Sequence, residues 1–78
     1  MKLKSDYQFA VGDSFLCNGN DIVRILEVDT EHDIVGYEIE YHDPKRPNRV
    51  DARYRDRLIE ALNAEEVYFD QSQGIQLP

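Results

Sequence analysis

Residues 34–41 read Ile-Val-Gly-Tyr-Glu-Ile-Glu-Tyr, and their alternation decides the fold class. Val35, Tyr37, Ile39 and Tyr41 fall on one side of an extended chain, with Gly36, Glu38 and Glu40 on the other. Successive side chains of a strand point to opposite faces, so this stretch predicts an antiparallel strand with one face buried. The same period of two governs most of the chain. Upstream, Asp21–Asp29 is rich in β-branched residues and apolar on both sides in its middle, which predicts a central, well-covered strand. Residues 13–17 precede it as a further strand. Asn18-Gly19 lies between the two, and both residue types tolerate positive φ, so a tight hairpin is expected. Val11-Gly12-Asp13 reads as a bend and Thr30-Glu31-His32-Asp33 as a polar turn.

Downstream, residues 42–48 carry Pro44 and Pro47, which exclude a helix or a central strand there. Alternation resumes over 49–54, with Val50, Ala52 and Tyr54 expected inward and Arg49, Asp51 and Arg53 outward. The period then changes. Tyr54, Leu58, Ala61 and Leu62 are spaced for a short helix over about 55–63, with Asp56 as its cap and Asn63 as its left-handed end. Residues 66–70 are expected to form a last strand and 71–78 a flexible tail. The whole chain of 78 residues reads as one domain with its core over 9–70.

Short strands, tight turns and one short helix suit a small antiparallel barrel. The chain resembles the SH3-like barrels of the Tudor and KOW type. The resemblance rests on Val11-Gly12-Asp13 leading into a strand, the strand through Tyr37–Asp43, a hairpin loop, and the helical turn Arg55–Leu62 before a last strand. It implies a barrel of four to five strands that binds peptides, partner proteins or nucleic acid. The chain has no tryptophan and no KOW-type pairing of glycine with basic residues, so no ligand site is carried over.

Charge narrows the function classes. The chain carries −7 overall, yet six of its nine lysines and arginines lie in 41–58. They are Lys45, Arg46, Arg49, Arg53, Arg55 and Arg57. Cross-strand pairing of Arg49 and Arg53 with Glu38 and Glu40 is one explanation, worth roughly 0.2–1 kcal/mol a pair. The other is a binding surface, for which those six residues with Tyr41 and Tyr54 are the candidates. Arginine forks grip anions and tyrosine rings stack. A net acidic chain argues against wholesale nucleic-acid binding. The expectation is a non-catalytic module that binds a protein through a charged face. The alternatives are a nucleic-acid binder using 45–57 and an acidic mimic of nucleic acid.

Cys17, His32 and His42 do not have the spacing of a zinc site or of a nucleophile with its base, so neither enzyme activity nor a cofactor is expected. One cysteine, no apolar run after the first residues and no membrane-length stretch point to a cytoplasmic protein without membrane contact. A core this small and the edge strands of a β domain also make a homodimer through an edge an expectation.

Overall fold

A computed structural model describes residues 2–17 and 20–64. Four strands form one antiparallel sheet in the order β1-β2-β3-β4: β1 is Ser14–Cys17, β2 Asp21–Asp29, β3 Ile34–Glu40 and β4 Arg49–Tyr54. Helix α1, Arg55–Ala64, follows β4 directly. Strand and helix positions agree with the periodicity of the sequence. The expected strand over 66–70 and the tail over 71–78 lie outside the described residues. The four described strands form an open sheet with β1 and β4 at its edges. This mainly β sheet with one helix is therefore the fold, without barrel closure among the described residues.

One face of the sheet carries the core. Phe15 and Cys17 of β1, Val23 and Ile25 of β2, and Val35, Tyr37 and Ile39 of β3 share it by register. Leu58, Ile59, Ala61 and Leu62 of α1 are buried with them. Ile59, outside the expected helical set, belongs to this core, whereas Tyr54 does not. Tyr7 and Phe9 enter from the N-terminal segment and stack edge-to-face with each other and with Phe15, at centroid distances of 5.0–6.2 Å. Burying a Leu, Ile or Phe side chain contributes roughly 1.5–3 kcal/mol, so this cluster is the main source of stability.

Turn chemistry follows residue type. Gly12 adopts φ +96°, its N–H bonds Ile25 O, and Asp13 O accepts from Ile25 N–H. That places a glycine-dependent bulge where a bend was expected. The Asp29 carboxylate accepts the N–H groups of Glu31 and His32, closing the β2–β3 turn. β2 is central, but among the described residues it is covered on one face only. Leu26 sits at a bulge between β2 and β3 and is exposed. Asn63 is helical and does not adopt the expected left-handed end. Its side chain instead accepts from Leu3 N–H and donates to Leu3 O, tying the N-terminal segment to α1.

The largest correction concerns β4. Ile39 faces Arg49, Tyr37 faces Asp51 and Val35 faces Arg53. Directly opposite residues share a face, so Arg49, Asp51 and Arg53 lie on the core side and Val50, Ala52 and Tyr54 on the outer side. Arg53 is 6% exposed, against 67% for Val50 and 48% for Tyr54. A shift of one residue inverts every side chain of a strand. The register is held by Arg55. Its N–H bonds Asp33 O, and its guanidinium bonds the Asp33 carboxylate and the carbonyls of Ser5 and Tyr7. Arginine stems are apolar, so the inverted strand still covers the flank of the core.

Candidate functional site

The six basic residues do not form one surface. Arg53 is buried, and its Nε donates to the Tyr37 hydroxyl at 3.0 Å. Arg49 Nη2 pairs with Asp51 at 2.9 Å. Burial opposes the charge of Arg49, but the Tyr41 hydroxyl and Asp51 outweigh it and raise the pKa of the guanidinium. Arg55 staples the N-terminal segment to the β2–β3 turn, and Arg57 lies 3.6 Å from Glu60 one helical turn on. The expected cross-strand pairs with Glu38 and Glu40 do not form. Glu40 pairs with Arg24 on β2 at 2.7 Å instead.

The remaining basic groups, Lys45 and Arg46, lie in the exposed 42–48 loop. Asp43 organises that loop by accepting Lys45 N–H on its carboxylate and Arg46 N–H on its carbonyl. The Arg46 guanidinium lies 3.6 Å from the centroid of the Tyr41 ring, a cation–π contact. Tyr41 is buried on the core face, as expected. Tyr54 is on the opposite face of the sheet. The two tyrosines therefore cannot form one stacking platform, and Arg46 occupies the ring of the first.

The outer face of the sheet brings together residues that sequence periodicity did not single out. Leu16 is 61% exposed beside Ile22 on β2, while Val50 and Tyr54 stand on β4. Between them lie Arg24, Glu38 and Glu40. A β-carbon on Gly36 would sit 3.5 Å from that of Glu27, so Glu27 projects from this face as well. Glu27 and Glu38 make no ion pair among the described residues. No described element covers this face, since α1 packs on the other. The available signal was Leu16, an apolar residue at a position the β1 alternation turns away from the core.

Among the described residues, two hollows lie elsewhere. One of about 320 Å³ is bounded by Leu3, Ile59 and Asn63, and one of about 240 Å³ by Val28, Asp33 and Arg55. Among the described residues, no group of three or more His, Cys, Asp or Glu side chains is placed to hold a metal ion. No described helix is long and apolar enough to cross a membrane. In comparison with known proteins, the chain matches no family model, no curated protein and no solved structure.

Proposed function

We propose that the chain is a non-catalytic binding module that docks a cationic segment of a partner protein on the outer face of its sheet. One observation carries this reading. Exposed Leu16, Val50 and Tyr54 surround carboxylates, of which Glu27 and Glu38 have no cationic partner among the described residues. Exposed apolar side chains supply area, and unpaired acids supply selection for a basic partner. The SH3-like barrel belongs to this proposal too. Its support is the β1-β2-β3-β4 meander followed by one helix, an order used by small barrels that bind peptides.

The test is fluorescence anisotropy with a labelled peptide alternating lysine and valine, beside one in which glutamate replaces lysine. Binding of the first alone is expected. It should weaken about three- to tenfold in Glu27→Gln/Glu38→Gln, as for two exposed charge pairs. Equal binding of both peptides, or none, would sink the reading.

Nucleic acid is the second reading, favoured by Lys45 and Arg46 in one exposed loop. Labelled single-stranded RNA and duplex DNA decide it. Binding that falls with salt and vanishes when Lys45, Arg46, Arg55 and Arg57 are all alanine would place a phosphate site on the loop side. Arg55 also holds the β4 register, so Lys45→Ala/Arg46→Ala is the cleaner variant.

A further inference from the structure

Among the described strands β4 lies at the sheet edge, and that edge carries a built-in guard. In an antiparallel ladder, residues alternate between bonding the neighbouring strand and pointing away from it. Arg55 N–H bonds Asp33 O, and the same register continues through Arg53, Asp51 and Arg49. The N–H and C=O groups of Val50, Ala52 and Tyr54 therefore point out of the sheet. Such a row is a template for another strand. Ala52 N–H is already taken, because Asp51 Oδ1 accepts it at 2.9 Å. The other oxygen of that carboxylate, Oδ2, is held by Arg49 Nη2 at 2.9 Å. Both side chains are partly buried, at 24% and 19% exposure, which restrains the arrangement.

We propose that the Arg49–Asp51 clasp keeps the β4 edge from pairing with a second copy of the chain, and that its removal joins two copies through β4 about a two-fold axis. The edge is self-complementary in one register. With Ala52 opposite Ala52 of the second copy, Val50 faces Tyr54 on the outer side, and position 51 faces Arg53 on the core side. A register centred on position 51 would instead set Arg49 against Arg53. The favoured register buries the exposed Val50 and Tyr54 across the seam and leaves their hydrogen-bonding groups in phase. The occupied Ala52 N–H, at the centre of the seam, stands against it, and at each end of the seam Arg49 comes level with Arg55 of the other copy.

Sedimentation velocity on the full chain tests this. The wild type is expected to stay monomeric over a concentration range in which Asp51→Ala dimerises. Self-association should strengthen about ten- to thirtyfold, since two clasps are released per dimer. Asp51→Ala/Ala52→Pro should return to monomer, because proline removes an N–H that β3 does not use. Identical sedimentation of the wild type and Asp51→Ala overturns the proposal, as does a dimer that survives Ala52→Pro. If circular dichroism shows Asp51→Ala unfolded, amide exchange in the wild type decides. Ala52 N–H exchanging more slowly than the N–H groups of Val50 and Tyr54 supports the clasp, and equal exchange overturns it.

Discussion

Tyr37 shows how one buried hydroxyl links stability to pH. Burial raises its pKa above the ordinary value of about 10, and the neighbouring Arg53 charge offsets only part of that rise. A raised tyrosine pKa gives stability that is complete below about pH 10 and is lost as pH climbs through the folded-state value. Tyr37→Phe should cost about 1–3 kcal/mol at neutral pH, because it leaves the Arg53 Nε donor without this acceptor. Urea titrations should show that loss, and they should show the variant losing less stability than the wild type above pH 10. Asp29 works in the other direction. The His32 side chain, with the amides of His32 and Glu31, holds its pKa below the usual carboxylate range. The stability it adds is present above about pH 4 and lost as pH falls through the lowered value. Its carboxyl carbon resonance should titrate below that of an ordinary aspartate, and His32→Ala should move the midpoint upward.

At the scale of elements, β4 separates two readings of one alternation. Val50 on the core side would make Val50→Lys severely destabilising. Val50 on the outer face makes the same change worth no more than about 0.5 kcal/mol. Leu58→Ala in α1 removes a fully buried side chain and should cost about 2–5 kcal/mol. Denaturation of the two variants side by side checks the inversion. Elements were legible wherever one residue type leaves a single option. β3 alternates three apolar residues, Val35, Tyr37 and Ile39, with glycine and two glutamates, and only one of its faces can be buried. Gly12 marks its own bulge. In β4, three residues with ionised heads alternate with Val, Ala and Tyr, and the two faces compete. Long arginine stems can cover a core while their heads find partners. Arg49 and Arg53 accordingly face the core side, where they bond Asp51 and Tyr37.

At the scale of the molecule, the charges of the described residues are distributed unevenly over the two sides of the sheet. The basic groups of 49–55 are drawn to the core face and the N-terminal segment, while Glu27, Glu38 and Glu40 stay on the outer face. Attraction of a cationic peptide should therefore weaken as salt shortens the screening length, to about 8 Å at physiological ionic strength. Lys45→Ala/Arg46→Ala should leave that affinity unchanged, because the 42–48 loop is not part of the outer face. Anisotropy titrations at two salt concentrations test both expectations.

Among the described residues, the sequence by itself determined the four strands, the helix, the bend at Gly12 and the β2–β3 turn. Those depend on backbone preferences and on periods that run along a few consecutive residues. Only the tertiary structure decided which side of β4 is buried, which arginines are engaged within the chain, and which side chains of the described sheet are exposed. Those outcomes rest on Arg55 reaching Asp33, Ser5 and Tyr7, and on Glu40 choosing Arg24 over β4. Such contacts join residues distant in sequence, and the pattern of neighbouring residues carries no record of them.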